Sequence, residues 1–313
     1  MMTPYDREAS MAALLRALPY IRLFRGRTFV LKLGGGVCGE PALLRTLAEQ
    51  WGVLRELGIR LVLVHGGGAQ ATALCTQLGI ETRTVEGRRI TSPRALEAVV
   101  MAVNGTVSTA VLAACRAVGL PAVGVSGVDA GLIRARRRPP VLKEMGDRLV
   151  EIDYGEVGDI TGVEAAVLER LMDGGFVPVV ASLAADEGGR VLNVNADTVA
   201  AAVAAALGAE KLVFLTEVPG LLEDPDDPTT LVSYLDLAGL AALEGRGVVR
   251  DGMLPKVEAV RQALAGGVGR VHLVGARERW GVLVEVFTNE GAGTMIVRSI
   301  AELAPAEQGQ GGG

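Results

Sequence analysis

The sequence has few aromatic residues. They make up 4% of its 313 residues, whereas hydrophobic residues of all kinds make up 50%, and there are 42 glycines. This composition is typical of a parallel sheet of Val, Leu and Ile strands, joined by alanine-rich helices and glycine turns. At this length the chain can bury a large core, either as one α/β domain or as two smaller ones.

Cysteine is also scarce. Cys38, Cys75 and Cys115 are odd in number and show no CxxC spacing, so they predict neither a disulfide framework nor a zinc site. Such usage favours a reducing compartment, and we expect a cytoplasmic protein. We expect no apolar run to reach the ~18 residues of a membrane span, and residues 1–27 lack the uninterrupted apolar core of a signal peptide.

Neither sign of charge dominates, but lysine is rare. The formal net charge of −5 and the pI of about 5.3 argue against non-specific nucleic-acid binding. Among the 31 lysine and arginine residues, the lysines are Lys32, Lys143, Lys211 and Lys256. Because the chain uses arginine for nearly every other positive charge, these lysines are candidates for positions that need a compact ammonium group.

The most informative stretch is residues 28–36, with the sequence TFVLKLGGG. Its first half predicts a strand. Lys32 lies near the end of that strand, and only Leu33 separates it from a run of three glycines. Glycines let a ligand approach the backbone and present N–H groups to an anion, and the lysine adds a point charge. The alternative is a tight turn with a lysine that extends its ammonium group into solvent.

A second strand at residues 60–64 leads into His65, three glycines and a helix that begins near Ala69. This arrangement favours anion binding at the N-terminus of the helix. The loop lacks both the G-x-G-x-x-G spacing of a dinucleotide site and the G-K-[ST] ending of a P-loop. His65 is predicted to be structural, because the sequence places no carboxylate or nucleophile beside it.

Three further polar segments are candidates for a site or for exposed surface. Arg88 and Arg89 are suited to bind a carboxylate, although without other context surface charge is the favoured interpretation. Asn193, Asn195 and Asp197 alternate, so we expect them on one side of an extended segment. Residues 134–138 are rich in arginine and predict an exposed hairpin tip.

Lys256 lies in the first turn of a predicted helix, where the helix dipole disfavours a cation, so we expect this lysine to have a specific role.

The alternation of strands and helices predicts an α/β fold, namely a three-layer αβα sandwich with a mainly parallel central sheet. Sites in such sheets form beyond the carboxyl ends of the strands. We expect a helical extension at 1–27, one main domain at 28–300 with halves at 28–185 and 186–300, and a disordered tail at 301–313. The apolar stripe of Met11, Leu14, Leu15 and Leu18 would pack on this domain or on another subunit.

Five motifs resemble the amino-acid kinase superfamily and, within it, the acetylglutamate kinases of arginine biosynthesis. They are 32–35 (KLGG), 65–68 (HGGG), 87–91 (GRRIT), 193–197 (NVNAD) and 252–256 (GMLPK). The resemblance covers residues 17–297. It implies an amino-acid kinase-like fold and direct in-line transfer of a phosphoryl group from Mg-ATP to the γ-carboxylate of N-acetyl-L-glutamate, which yields N-acetyl-L-glutamyl 5-phosphate.

The resemblance also implies roles for the matching residues. Lys32 and Lys256 would stabilise the transferring phosphoryl group, and Asp197 would hold both lysines in place. No protein-held metal is expected, because Mg²⁺ would be carried by the ATP phosphates. The binding residues would be Gly67, Gly68, Arg89 and Asn193 for acetylglutamate, and Gly34, Gly35, Gly66, Thr216 and Gly220 for the phosphates and the nucleotide.

Two segments resemble the arginine-inhibited members of this family, 17–26 near the N-terminus and 287–294 near the C-terminus. Such members are hexameric rings in which the N-terminal helices link dimers, so we expect a homo-oligomer, either a dimer or a hexamer. The residues that would border the arginine site are Tyr20, Lys211, Glu290 and Gly291. A PII-type signalling protein is a further possible partner.

Two segments depart from the family pattern. Members often have GKVNK where this chain has GTVST at 105–109, and GKDG where it has GVDA at 127–130. The alternatives are an acetylaminoadipate kinase or a carrier-linked aminoadipate kinase of lysine biosynthesis, or a catalytically idle nucleotide-binding regulator. A dinucleotide oxidoreductase is disfavoured by the missing glycine fingerprint.

Overall fold

The computed structural model describes residues 4–85, 88–145, 148–224, 227–249, 253–288 and 291–300, and its centre is a sheet of eight strands. In spatial order the strands are Tyr234–Asp236 (β14), Gly293–Val297 (β16), Arg270–Gly275 (β15), Lys211–Thr216 (β13), Thr28–Leu33 (β1), Arg60–His65 (β2), Val177–Ala181 (β10) and Ala122–Ser126 (β5). Neighbouring strands run parallel except for β15 and β16, which are antiparallel.

Helices cover both faces of this sheet. In chain order they are Pro4–Phe24 (α1), Pro41–Glu56 (α2), Gly68–Gln77 (α3), Pro93–Val100 (α4), Ser108–Ala117 (α5), Ala166–Asp173 (α6), Ala196–Ala206 (α7), Leu237–Gly245 (α8), Leu254–Ala265 (α9) and Gly281–Phe287 (α10). The N-terminus of α4 forms as predicted, with Ser92 as the N-cap and Pro93 in the first turn.

The strand β1 shows why the fold has three layers. Phe29, Leu31 and Leu33 point to one face and join the core that contains the buried residues of α2 and α5. Val30 points to the other face and joins the core that contains those of α7 and α9. Because successive side chains of a strand alternate between faces, both faces of β1 are buried. The predicted αβα sandwich with a mainly parallel sheet is therefore confirmed.

Smaller sheets lie outside this sandwich. A four-stranded sheet has the order Val191–Asn193 (β12), Leu183–Ala185 (β11), Ile133–Arg137 (β6) and Gly158–Val163 (β9). Two hairpins complete the strands, Arg83–Val85 (β3) with Arg88–Ile90 (β4), and Val141–Met145 (β7) with Arg148–Ile152 (β8). The four-stranded sheet and the first hairpin contribute residues to the site described below.

Two local predictions were wrong. The arginine-rich residues 134–138 do not form a hairpin tip: β6 is paired with β9 and β11 within the four-stranded sheet. The run from Asn193 to Asp197 is not one extended segment, because β12 ends at Asn193 and α7 begins at Ala196. Both errors arise because neighbouring strands and caps, which the local pattern does not reveal, decide where an element starts and ends.

The N-terminal helix is longer than expected. It continues through Pro19 and ends at Phe24, which is buried against the sandwich. Met11, Leu14 and Leu15 of the predicted apolar stripe are 54%, 51% and 59% exposed in the single chain. The last turns of α1 therefore pack on the domain, while its apolar stripe remains on the surface.

One helical stretch contradicts the expectation about apolar runs. The described residues include a helix at 93–117, made of α4, a π-helical segment at Met101–Val107 and α5, that is long and apolar enough to cross a membrane. In its most apolar window, 44% is buried inside the protein. Val107, Val111 and Cys115 contribute to the core. A core helix of a soluble protein passes the same test of length and composition.

Candidate active site

Two lysines meet one aspartate at the carboxyl end of β1. Nζ of Lys32 lies 2.7 Å from Oδ1 of Asp197, and Nζ of Lys256 lies 3.3 Å from each of the two carboxylate oxygens. These three side chains, the carboxyl-end cluster, are only 10%, 12% and 10% exposed for Lys32, Lys256 and Asp197. Two ammonium groups share one carboxylate, so the cluster carries an excess positive charge.

Local structure explains how the three side chains converge. Lys32 points to the same face of β1 as Val30, which is the face that α7 covers. Asn195 caps α7 by accepting hydrogen bonds from the first backbone N–H groups, at 2.7 and 3.2 Å. Asp197 lies in the first turn of α7, where the helix dipole favours a carboxylate. Lys256 lies in the first turn of α9, where Asp197 offsets the unfavourable dipole.

The surroundings shift the pKa values of Asp197 and Lys256. Burial opposes ionisation of Asp197, but the charges of Lys32 and Lys256 outweigh it and lower the pKa of this carboxyl. Burial also lowers the pKa of Lys256, against the stabilising charge of Asp197. Asp197 is therefore ionised at neutral pH, and its negative charge is what permits two ammonium groups to lie side by side in a buried position.

A cavity of about 300 Å³ opens beside the cluster. Lys32 and Asp197 line it, together with the two glycine loops that follow β1 and β2. This volume lies at the lower end of the range of ~300–1,000 Å³ for small-molecule sites. The other lining residues that enter the argument below are Arg89, Arg138, Ser182, Asn193, Asn195, Val99, Val103 and Val157.

The glycines of the loops serve different needs. A Cβ atom on Gly67 would lie 2.9 Å from a methyl group of Val103, so packing within the protein requires this glycine. A Cβ atom on Gly68 would meet nothing within 4 Å, and one on Gly35 would have its nearest neighbour at 3.9 Å. Packing does not require glycine at these two positions. Their small size instead leaves space for a ligand to approach the backbone.

Arg89 and Asn193 reach the cavity from different sheets. Arg89 in β4 donates through Nη2 to the carbonyl of Gly68 at 2.7 Å and to the hydroxyl of Thr72. Asn193 at the end of β12 donates through Nδ2 to the Thr91 hydroxyl at 3.2 Å. These contacts hold both side chains beside the second glycine loop, and Arg89 is the cationic residue that contacts that loop directly.

Some predicted residues lie outside the cavity. Gly66 does line the cavity. Gly34 instead donates its backbone N–H to the carbonyl of Leu215 at 3.2 Å. Thr216 is buried at the end of β13, where its hydroxyl donates to the backbone carbonyls of Val218 and Val274. Gly220 packs against Thr294. Thr216 is the last residue of β13, and Gly220 follows that strand. Gly252 falls outside the described residues.

Several lining residues were not predicted as site residues, and Ser182, Asn195 and Arg138 are polar ones among them. Ser182 and Asn195 are held there by the end of β10 and by the start of α7. Arg138 was read as solvated charge, yet it is 18% exposed and faces the cavity. The alternation of Asn195 with Asp197 was a usable signal, whereas nothing in a run of arginines distinguishes the one that a neighbouring strand turns inward.

A second buried cluster lies at the opposite end of β13. The ammonium group of Lys211 donates to Nε2 of His272 at 3.0 Å, and Nδ1–H of His272 donates to Glu285 at 2.6 Å. Lys211, His272 and Glu285 form the amino-end cluster. Burial, and secondarily the charge of Lys211, lowers the pKa of His272 to about 4, so this imidazole is neutral at neutral pH.

The residues predicted to border an arginine site gather around the amino-end cluster. The ring of Phe24 lies 4.9 Å from the ammonium group of Lys211 and stacks with Tyr20 at 6.3 Å between ring centres. A Cβ atom on Gly291 would lie 3.0 Å from Glu285. Glu290 falls outside the described residues. His272 and Glu285 were not predicted.

Metal-binding side chains do not gather in the described ranges: no three His, Cys, Asp or Glu side chains there are placed to hold an ion. In the cavity the lining carboxylate is Asp197, and both of its oxygens contact lysines.

Comparison with known proteins gives one family match and a group of close relatives. Residues 27–275 match the model of the amino acid kinase family. An acetylglutamate kinase from Myxococcus xanthus (strain DK1622) is 50% identical over 293 residues, which cover 93% of this chain and 95% of that protein.

Solved structures give the same picture of the fold. N-acetylglutamate synthase from Neisseria gonorrhoeae, complexed with coenzyme A and L-arginine, is 30% identical with a TM-score of 0.79. The match covers 92% of this chain and 65% of the synthase chain, so this chain spans about two thirds of the synthase. Carbamate kinase from Giardia lamblia bound to AMP-PNP is 18% identical with a TM-score of 0.58. The match covers 87% of this chain and 98% of the carbamate kinase chain. At this identity the likeness is informative about the fold alone.

Proposed function

Because the chain belongs to the amino acid kinase family and is similar to acetylglutamate kinases over 93% of its length, we propose that it phosphorylates the γ-carboxylate of N-acetyl-L-glutamate with ATP. The product is N-acetyl-L-glutamyl 5-phosphate, an intermediate of arginine biosynthesis. The observation that carries the proposal is the carboxyl-end cluster, which places an excess positive charge beside a small cavity lined by two glycine loops.

The cluster suits phosphoryl transfer. An oxygen of the acceptor carboxylate forms a bond to the γ-phosphorus of ATP while the bond to the bridging oxygen breaks, and ADP leaves. Such a carboxylate has a pKa near ~4.3 and is ionised at neutral pH, so no general base is needed. Catalysis requires in-line positioning and stabilisation of negative charge on the moving oxygens. Lys32 and Lys256 supply that charge, and Asp197 keeps them together.

The two halves of the chain divide the substrates. Residues 28–185 bind most of the acceptor, through Arg89 and the backbone of the second glycine loop, and Asn193 reaches the acceptor from the other half. Residues 186–300 bind the nucleotide, near Thr216 and Gly220, and the first glycine loop approaches the phosphates. When bound, Mg²⁺ on ATP neutralises charge on the β- and γ-phosphate oxygens.

The apolar part of the cavity supports an acylated amino acid as the acceptor. Val99, Val103 and Val157 form a wall that suits the methyl group and the methylene chain of acetylglutamate. The polar part contains the donors that a carboxylate requires. An acetylaminoadipate acceptor has one more methylene group, and a hydrophobic pocket discriminates such a difference by only ~10–200-fold, so this alternative has to be tested directly.

The test is ADP release by the purified chain with Mg-ATP and N-acetyl-L-glutamate, measured beside N-acetyl-L-2-aminoadipate, with hydroxylamine trapping of the acyl phosphate. We expect turnover on acetylglutamate that Lys32→Met lowers by roughly 10²–10³-fold. Faster turnover on the aminoadipate derivative would replace the substrate. Nucleotide binding without turnover on either acid would support the idle regulator.

We also propose that arginine inhibits the enzyme at the amino-end cluster. Lys211 and Glu285 supply a cation and a carboxylate, which match the carboxylate and the guanidinium group of arginine, and Tyr20 and Phe24 cover them from α1. The synthase relative was solved with L-arginine, which supports the proposal. Titration of the rate with arginine tests it: Glu285→Gln should raise the inhibitory concentration, and an undiminished wild-type rate at millimolar arginine would contradict it.

Assembly and location belong to the same proposal. The exposed apolar residues Met11, Leu14 and Leu15 of α1 support association of subunits through this helix, and light scattering of a chain truncated before residue 18 would test it. The free, buried cysteines Cys38 and Cys75 support a reducing cytoplasm. Binding to a PII-type protein stays a prediction from the resemblance.

A further inference from the structure

Arg138 is the cationic side chain of the cavity that the proposed reaction leaves without a role. It follows β6 and comes from the four-stranded sheet, on the side of the cavity formed by Val157 and Asn193. Its side chain is 18% exposed. A guanidinium group that is this well buried needs partners for its donors, and a lining position gives those donors access to a ligand.

One edge of the guanidinium group is held by the protein. Nε and Nη2 donate to the same carboxylate oxygen of Asp159, at 2.9 and 2.6 Å. The guanidinium carbon lies 5.6 Å from the centre of the Tyr154 ring. The backbone N–H of Arg138 donates to Val157 at 2.8 Å. These contacts fix the position and the plane of the group before any ligand binds.

The other edge is available. Within the part of the chain that the structure describes, Nη1 of Arg138 has no hydrogen-bond partner. The planar fork of Nη1 and Nη2 matches the two oxygens of a carboxylate. Arg89 differs in this respect, because its Nη1 and Nη2 already contact Cys75, Gly68 and Thr72 on α3.

The charges around Arg138 indicate which space it serves. Arg138 lines two cavities: the one of about 300 Å³ beside the carboxyl-end cluster, which we call the acceptor cavity, and a neighbouring one of about 500 Å³. The charged lining of the neighbouring cavity also includes Asp159 and Glu258, which repel an anion. The acceptor cavity is lined by Lys32, Arg89 and Arg138, and its carboxylate Asp197 is neutralised by the lysines. A carboxylate is therefore favoured on the acceptor side.

We propose that Arg138 is a specificity-determining residue that binds the acceptor carboxylate that is not phosphorylated. The inference rests on the proposed function, since it assumes an acceptor with two carboxylates, one of which faces the carboxyl-end cluster. It adds Arg138 to Arg89 as a contact of the second carboxylate. The ligand class is a short dicarboxylate, and an acceptor that lacks the second carboxylate loses the contribution of Arg138.

The test compares two acceptors that differ only in that group, N-acetyl-L-glutamate and 4-acetamidobutyrate, by isothermal titration of the full chain. We expect Arg138→Leu to weaken acetylglutamate binding by roughly 10- to 100-fold, the range for a charged hydrogen bond, and to change 4-acetamidobutyrate binding by less than about 3-fold. Arg138→Lys, which keeps the charge but loses the fork, should fall between Arg138→Leu and the wild type.

Two further variants separate recognition from folding. Arg136→Leu makes the same substitution on an exposed residue of β6 and should leave both affinities unchanged. Asp159→Asn keeps Arg138 but weakens its support, and should affect acetylglutamate alone. Equal losses for the two acceptors, or no loss for either, would overturn the inference.

The two proposals fail differently. A wild-type chain that binds acetylglutamate without phosphorylating it would contradict the proposed reaction, while the binding comparison would still decide the role of Arg138. A wild-type chain that turns over acetylglutamate, with Arg138→Leu showing an unchanged ratio of the two affinities, would contradict only the role of Arg138. A wild-type chain that does not bind acetylglutamate would contradict both.

Discussion

The carboxyl-end cluster and the amino-end cluster are both built on buried lysines of the central sheet, but they differ in their balance of charge. At the carboxyl end, Asp197 is shared by Lys32 and Lys256. At the amino end, Lys211 and Glu285 are linked through the neutral ring of His272. The first cluster has an excess of positive charge, and in the second one ammonium group is matched by one carboxylate.

They also differ in access. The carboxyl-end cluster opens into a cavity beside two glycine loops. The amino-end cluster lies under Phe24, and the second oxygen of Glu285 accepts backbone N–H groups from Ala292 and Gly293 at 2.7 and 3.0 Å. The amino-end cluster contains Lys211, the first residue of β13, and the six residues of this strand span only about 17 Å from its amino end to its carboxyl end. The difference teaches that a buried lysine is not by itself a sign of catalysis, and that unmatched charge beside an open cavity is the better sign.

The largest expected difference between the clusters is in stability. Asp197→Asn leaves two buried ammonium groups without a counterion, and breaking a buried pair costs about 3–5 kcal/mol of unfolding free energy. Glu285→Gln leaves one ammonium group, still in contact with His272, and should cost less. Urea unfolding at pH 7 measures both. Equal losses would show that shared charge is not what distinguishes the carboxyl-end cluster.

The next difference is in the rate. Lys32→Met removes one of the two groups that stabilise the transferring phosphoryl group, and we expect kcat to fall by roughly 10²–10³-fold, as for the loss of one oxyanion donor. The matched control is Lys143→Met, a lysine of β7 that does not line the cavity. A similar loss of kcat in the control, or unchanged kcat in Lys32→Met, would remove the catalytic assignment.

The two clusters should respond to pH in different windows. The pKa of His272 is about 4 in the folded chain, below its ordinary value of 6.5. The unfolded state therefore binds the proton first, and stability falls as pH drops from 6.5 to 4, by at most about 1.4 kcal/mol per pH unit. The pKa of Asp197 is lowered from 3.8, so its contribution is present above that value and is lost below it.

Variants can assign these windows. His272→Gln should flatten the dependence of unfolding free energy on pH between 6.5 and 4, and Asp197→Asn should flatten it only below about 4. Urea unfolding at half-unit pH intervals measures both curves. A wild-type curve that is level between pH 6.5 and 4 would mean that His272 is not held neutral by its surroundings.

The smallest expected effects come from one glycine beside each cluster. Gly291 has φ +64°, and its Cβ would lie 3.0 Å from Glu285, so Gly291→Ala should lose about 1–2 kcal/mol of stability. Gly68 has open space at its Cβ, so Gly68→Ala should change stability by less than about 0.5 kcal/mol and instead raise the KM for acetylglutamate. Thermal melts and initial rates measure the pair, and a stability loss in Gly68→Ala would show that packing requires that glycine too.

Much of the fold follows from local patterns. The strands β1, β2 and β13 are continuous apolar runs, and the glycine loop before α3 and the Ser92–Pro93 start of α4 are signals carried by neighbouring residues. The wrong predictions concern segments whose secondary structure is decided by pairing with strands distant in the sequence. Residues 134–137 belong to a strand because β9 and β11 flank them, and no periodicity within an arginine run reveals those neighbours.

The candidate site shows the same division. Lys32, Asp197 and Lys256 were identifiable because each breaks a local preference or matches a motif: a lysine in a buried strand, an acid in an Asn-rich run, a lysine in a first helical turn. Arg138 and His272 were not, because an arginine among arginines and a histidine in an apolar strand have no such mark. Only their burial and their partners, Asp159 for one and Lys211 with Glu285 for the other, distinguish them.

The sequence by itself determined the class of fold, the two glycine loops and the residue types that phosphoryl transfer needs. These depend on periodicity, backbone freedom and charge, which are properties of residues close together in the chain. The tertiary structure alone decided that one carboxylate lies between two lysines, that Arg138 lines the cavity beside them, and that the lysine at the amino end of β13 is enclosed. Those outcomes depend on strand order and packing, which bring together residues far apart in the chain.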